Sequence, residues 1–147
     1  MPALFFLSSD PMSDALHLLL VEDDAVDPSR LRRAIAAVLP DVPVDVAPGD
    51  LALDMLQSGR VPWRSALVII DLGQMHVGGL AFLRSVRASP ELCATKVVAI
   101  DCQAEAAARE RAWELHVAGV LDCPADDAAM QMLVERVHRY FSACRSA

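Results

Sequence analysis

The stretch that most constrains this chain runs from Ala66 to Leu80 and reads ALVIIDLGQMHVGGL. Its first five residues, Ala66 to Ile70, are apolar without interruption; Val68, Ile69 and Ile70 are β-branched, and a single acid, Asp71, follows. A continuous apolar run of this kind predicts a strand buried on both faces, as in a parallel sheet. An acid at the carboxyl end of such a strand stands where open α/β sheets place their binding crevice. Gly73, Gly78 and Gly79 come next, which predicts a loop able to approach a ligand closely before a helix begins. Taken by itself, Asp71 reads as an acid that ends a strand and caps a helix, so its meaning rests on the remainder of the chain.

That remainder alternates strands with helices. Ala15 to Val21 is a second apolar run and ends in Glu22-Asp23-Asp24. Asp27-Pro28 has the form of a helix start, aspartate as N-cap and proline at the first helical position. Leu31, Ala34, Ile35 and Val38 then recur at helical spacing up to Pro40. Val42, Val44 and Val46 alternate with Pro43 and Asp45, which predicts a short strand with one wet face. Pro48-Gly49-Asp50 opens a second helix that Ser58-Gly59 closes. After the Ala66–Ile70 strand, Leu80, Phe82, Leu83 and Val86 mark a third helix ending near Ser89-Pro90. Lys96 to Ile100 is a fourth strand, running into Asp101. Ala104 to His116 is a helix by propensity, Gly119 to Asp122 a fifth strand, and Asp126 to Cys144 a final helix. Five strands alternating with five helices predict a doubly wound parallel sheet with helices on both faces.

Composition narrows the class further. The chain has 147 residues, one domain by length, enough to bury roughly 68–70 % of its unfolded surface. A hydrophobic content of 54 % and a mean hydropathy of +0.34 point to a well-cored globular chain. No apolar run approaches the roughly 20 residues of a membrane span. A formal charge of −7 argues against binding nucleic acid or an anionic membrane through bulk charge. Residues 1–14 are expected to form a poorly ordered tail ahead of a domain spanning residues 15–144, with Met12 an alternative start to Met1. Cys93, Cys102, Cys123 and Cys144 fit no zinc or CxxC spacing, and four reduced thiols in a cytoplasm are expected.

Three strands thus end in acids: Glu22-Asp23, Asp71 and Asp101. In a parallel sheet the carboxyl ends share one edge, so these acids are expected to converge in one crevice. Hard oxygen ligands gathered this way suit Mg²⁺, whose charge offsets their repulsion.

From Leu16 to Phe141 the chain resembles the CheY-like receiver domains of two-component response regulators. The resemblance rests on VEDD at Val21–Asp24, on IIDLGQMHVGGL at Ile69–Leu80, and on Pro124 after the fifth strand. It implies a flavodoxin-like sheet of order 2-1-3-4-5, with Asp71 as phosphoacceptor from a sensor histidine kinase or phosphotransfer protein. It implies Mg²⁺ held by Glu22, Asp23, Asp71 and the Gly73 carbonyl, and a cis peptide before Pro124. It implies a cytoplasmic signalling module rather than an enzyme. Such a module acts through a downstream protein or a second copy of itself, without touching nucleic acid or membrane. Trp113, Val117 and Tyr140, with Val120, are the apolar residues expected on that contact face.

The sequence also departs from the family at the switch positions. Asp101 stands where the family has a threonine or serine, Cys123 where it has a lysine, and Val120 where it has an aromatic residue. Gln74-Met75 fill the places of the usual methionine and proline. Lys96, the only lysine, begins its strand and so belongs to the opposite edge of the sheet. Three carboxylates, one Mg²⁺ and one lysine cancel; four carboxylates and one Mg²⁺ leave two negative charges in surplus. Each unit-charge contact at about 4 Å is worth about 4 kcal/mol at an effective dielectric near 20. An atypical, stand-alone receiver with weakened or lost phosphoryl switching is therefore expected. The alternative is a phosphorylation-independent pseudo-receiver serving as a dimerisation or interaction module. A phosphatase-like hydrolase with Asp71 as nucleophile would want a second acid two residues on, where Gly73 stands. A bridge between Cys102 and Cys123, at neighbouring strand ends, is a further reading, set against the usual inertness of buried thiols.

Overall fold

The computed structural model describes residues 15–22, 30–72, 76–101 and 106–146. The tail of residues 1–14 and the Asp27-Pro28 helix start lie outside the described residues. In chain order the elements are β1 (His17–Val21), α1 (Arg30–Val38), β2 (Val44–Ala47), α2 (Gly49–Gln57), a 3-10 turn at Trp63–Ser65, β3 (Ala66–Asp71), α3 (His76–Ala88), β4 (Lys96–Asp101), α4 (Ala106–Glu114), β5 (Gly119–Asp122) and α5 (Asp127–Ser146). The strands form one parallel sheet, as the alternating pattern predicts, in the order β2-β1-β3-β4-β5 that the resemblance implies.

The apolar runs explain the layering. Successive strand residues face opposite sides, so β1, β3 and β4 each feed two cores. Leu18, Leu20, Leu67, Ile69, Val98 and Ile100 pack on one face with Leu31, Ile35, Leu133 and Phe141 of α1 and α5. Leu19, Val21, Val68, Ile70, Val97 and Ala99 pack on the other with Met55, Leu83 and Ala112 of α2, α3 and α4. Each fully buried aliphatic side chain contributes roughly 1.5–3 kcal/mol. A polar residue within these three strands would lose that on either face, hence their unbroken hydrophobicity.

Two boundaries differ from the sequence reading. Gly78 and Gly79 lie within α3, which begins at His76, not in a loop ahead of a helix. A Cβ on Gly49 would stand 2.8 Å from the Gly78 carbonyl oxygen, so the head of α2 presses against the backbone of α3. The glycines permit that contact between helices. At the other boundary, α4 stops at Glu114, two residues before His116, which adopts the left-handed region at φ 61°. The Val117 N–H then donates to the Ala112 carbonyl at 3.3 Å and closes the turn.

One side chain ties this end of the sheet together. Arg87, in the last turn of α3, donates to the carbonyls of Leu115 (2.7 Å), Cys93 (2.8 Å), Thr95 (2.7 Å) and His116 (3.0 Å). Those carbonyls belong to the segment entering β4 and to the turn between α4 and β5. Desolvation lowers the Arg87 guanidinium from its ordinary value. Arg87→Ala should therefore cost about 2–4 kcal/mol in urea unfolding, since hydrogen bonds to a charged donor contribute about 1.5–3 kcal/mol and orphaned carbonyls add to the loss. Arg87→Lys should recover less than half, because an ammonium has no planar fork with which to reach four carbonyls.

Candidate functional site

The parallel register places the acids. β1 ends at Val21, and the Glu22 N–H donates to the Ala47 carbonyl at 3.1 Å, carrying the β1–β2 ladder one residue further. Asp71 ends β3 opposite Ile100, with the next amide, Leu72 N–H, bonded to the Ile100 carbonyl at 2.9 Å. Asp71 is half-buried. Glu22, Arg30, Asp71, Cys123 and Met130 line one cleft at this edge of the sheet. Asp23 and Gly73 lie outside the described residues, as do Gln74 and Met75. Among the described residues no group of three His, Cys, Asp or Glu side chains has the arrangement of a metal site. The two carboxylates that are described, Glu22 and Asp71, offer the hard oxygen donors that suit a cation such as Mg²⁺.

Asp101 corrects the expected four-acid crevice. Strand alternation continues Val97 and Ala99 into Asp101, so it faces the α2–α4 side rather than the cleft. Its Oδ2 accepts from Arg109 Nη1 at 2.7 Å, and the same nitrogen reaches Asp122 Oδ1 at 3.1 Å. The Asp101 side chain is 8 % exposed, so this pairing holds a nearly buried carboxylate, whereas Asp122 is 88 % exposed. The hydrogen bond to Asp122, joined by that to Asp101, holds the Arg109 guanidinium above its ordinary value. The counted surplus of two negative charges therefore omitted a cation, Arg109, which pairs with Asp101.

Arg109 and Arg30 are the residues that sequence reasoning missed. Arg109 stands in the first turn of α4, where a long side chain leans back over the strand end it has just left. That spacing of eight residues from Asp101 was the available signal. Arg30 opens α1 and borders the cleft; its Nη1 donates to the Pro124 carbonyl at 2.8 Å and its Nε to Asp127 at 3.2 Å. No signal in the sequence links residue 30 to residue 124.

Three more expectations change. Cys123 is disulfide-bonded, not one of four reduced thiols, while Cys93 is a free, exposed thiol. The Cys123–Pro124 peptide is trans, not cis. Trans is the default for such bonds by about 0.5–1 kcal/mol, and here the Pro124 carbonyl is taken up by Arg30. Val117 is buried in the α2–α4 core and is not a surface residue, because the turn after α4 folds it inward. Val120 is half-buried against the same core, while Trp113 and Tyr140 are 52 % and 64 % exposed.

Solved structures carry the same architecture. The phosphorylated cyanobacterial phytochrome response regulator RcpA aligns over 86 % of this chain and 93 % of its own, with 18 % identity and a TM-score of 0.68. The chain has the fold of a response regulator receiver domain. A second receiver structure, the Mn²⁺-bound form of response regulator Rcp1, aligns over 86 % of this chain and 94 % of its own, with 20 % identity and a TM-score of 0.65. The bacteriophytochrome response regulator RtBRR is 28 % identical over 82 % of this chain and 75 % of its own, with a TM-score of 0.63. No protein-family model and no curated protein matches the sequence. Among the described residues of this receiver fold, no helix is long and apolar enough to cross a membrane.

The Asp101–Arg109 pair is open to direct measurement. Arg109→Gln and Asp101→Asn should each destabilise the receiver fold, and the double variant should lose less than the sum of the two. That coupling should shrink on going from low salt to about 1 M salt, since the guanidinium is solvent-screened. Additive losses at both salt concentrations would mean that the contact contributes nothing.

Proposed function

We propose that this receiver fold is a signalling module of a two-component phosphorelay, with Asp71 as its phosphoacceptor. The observation that carries the reading is the placement of Asp71 at the carboxyl end of central strand β3, in one cleft with Glu22 after β1. A carboxylate oxygen of Asp71 attacks the phosphorus of a phosphohistidine on a sensor kinase or phosphotransfer protein. The P–N bond breaks, the imidazole leaves, and an acyl phosphate forms. Glu22, Asp71, Asp23 and the Gly73 carbonyl are the residues that would hold Mg²⁺, and the Mn²⁺-bound Rcp1 structure supports a divalent cation here. When bound, the ion supplies positive charge against the carboxylates and the incoming phosphoryl oxygens. The module works by protein contacts in the cytoplasm, with Trp113 and Tyr140 available on the surface of α4 and α5 for a downstream partner or a second copy.

Phosphoryl switching is weakened in this reading. Asp101 offers no hydroxyl and is engaged by Arg109, and Cys123 offers no ammonium and is bonded through sulfur. A charge-assisted bond of the missing kind contributes roughly 1.5–3 kcal/mol. The same two facts favour a second reading, a pseudo-receiver that signals by contacts alone.

Intact mass separates the two. With acetyl phosphate and Mg²⁺ the wild-type chain should gain a small fraction of one phosphoryl unit. Asp101→Thr with Cys123→Lys should raise that fraction at least about tenfold, and Asp71→Asn should abolish it. A double variant that takes no label rejects the phosphoacceptor reading in favour of the pseudo-receiver. In calorimetry, Glu22→Gln should weaken Mg²⁺ binding by about tenfold, about 1.4 kcal/mol; equal heats in both proteins would remove Glu22 from the metal site.

A further inference from the structure

The cleft around Asp71 holds a cation that the proposed function leaves unused. Lys96, the only lysine in the chain, begins β4 at the other edge of the sheet. Arg109 is engaged with Asp101 and Asp122 on the α2–α4 side. Among the described residues Arg30 is the only cationic side chain that lines the cleft, together with Glu22, Asp71, Cys123 and Met130. Two contacts set its place. Nη1 donates to the Pro124 carbonyl at 2.8 Å, which carries the guanidinium from the head of α1 across to the residue after Cys123. Nε donates to Asp127 Oδ1 at 3.2 Å, at the start of α5. A guanidinium has five N–H donors, and these two bonds engage two of them. The side chain is 38 % exposed, so it stands partly withdrawn from water at the edge of the cleft. Asp127 does not depend on it alone, because Arg33 Nη2 stands 3.6 Å from the same Oδ1.

We propose that Arg30 is the oxyanion-binding residue of this cleft, and that it contacts the oxygens of a phosphoryl group carried by Asp71. The chemistry of the lining favours that ligand. Glu22 and Asp71 by themselves repel an anion, and the guanidinium is the lining group that attracts one. Its planar fork matches two oxygens of a phosphoryl group. Leu31 and Met130 give the cleft apolar walls beside Arg30, which weakens screening of the contact on the protein side. Counted to its open mouth the cleft is about 400 Å³, room for a tetrahedral group. The oxyanion competes with Asp127 for Arg30, and Arg33 is at hand to hold Asp127 when the guanidinium turns inward. The cation thus comes from α1, and binding acts on the β5–α5 connection through Pro124 and Asp127 rather than on β4. That the oxyanion is a phosphoryl group on Asp71 rests on the function proposed above; the cationic cleft does not.

Initial rates with radiolabelled acetyl phosphate and Mg²⁺ test the contact on the full chain. In that step an Asp71 carboxylate oxygen attacks phosphorus, the P–O bond to the acetyl group breaks and acetate leaves, while Arg30 donates to the phosphoryl oxygens. Arg30→Gln should label about tenfold more slowly than the wild type, and Arg30→Lys should fall between them, since an ammonium keeps the charge but not the fork. Asp127→Asn releases the guanidinium and should label at least as fast as the wild type. Equal rates in wild type and Arg30→Gln overturn the inference. A loss in Asp127→Asn as large as that in Arg30→Gln makes Arg30 a tie between α1 and α5, and overturns it too. Urea unfolding checks that all three variants fold. A second arm needs neither a covalent step nor a change at Arg30. Inorganic phosphate should shift the Arg30 Nε–H resonance in an NMR titration, with half-saturation at about tenfold lower phosphate in Asp71→Asn, which removes one negative charge from the cleft. An Nε–H that phosphate moves in neither protein overturns the inference. A resonance that moves in a wild-type chain taking no label rejects the phosphoacceptor and leaves the cationic cleft standing.

Discussion

The structure depends on parallel pairing of β1, β3 and β4 with both faces covered. Because these strands run in one direction, residues that are far apart in sequence end at the same edge. Because both faces are buried, the strands tolerate polar groups only at their ends. Glu22, Asp71, Asp101 and Asp122 are thus where charge is admissible, and the chemistry of the molecule follows from that restriction. Alternation then sorts the ends between faces. Asp71 and Cys123 belong to the cleft, while Asp101 turns to α4 and finds Arg109.

That sorting explains what was legible in the sequence and what was not. The apolar runs, their terminal acids and the parallel sheet follow from local pattern and chain direction, the strand order came from the resemblance, and β5 matches residue for residue. Which face an end residue takes depends on one position of register, and that position takes Asp101 away from the expected crevice, while Asp23 lies outside the described residues. Arg109 and Arg30 were missed for a related reason. A long cationic side chain reads as solvated surface until the backbone shows which strand end lies beneath it. The burial of Val117 depends on a helix ending two residues early, which leaves no mark in composition.

The altered positions bear on one another. At the ends of β4 and β5 stand an acid with its own arginine, Asp101, and a bonded sulfur, Cys123. Both arrangements satisfy their groups internally instead of holding them ready for a ligand. Asp101 with Arg109 keeps a nearly buried carboxylate neutralised, and a disulfide at Cys123 leaves no thiol there to titrate. These two groups are therefore satisfied within the chain itself.

Arg87 gives the opposite end of the sheet a different character. Its guanidinium fastens the chain entering β4 and the turn leaving α4 to the tail of α3. α4 is thereby anchored at its foot, while its head is held by Ala108 in the core and by the salt-screened contact of Arg109. Displacement of this helix is then a swing about a fixed pivot, not a slide. A swing multiplies with distance from the pivot, so a given rotation moves the head of α4, near the ends of β4 and β5, further than its foot. Mechanically, α4 is a lever whose short arm is locked and whose long arm ends at the cleft rim.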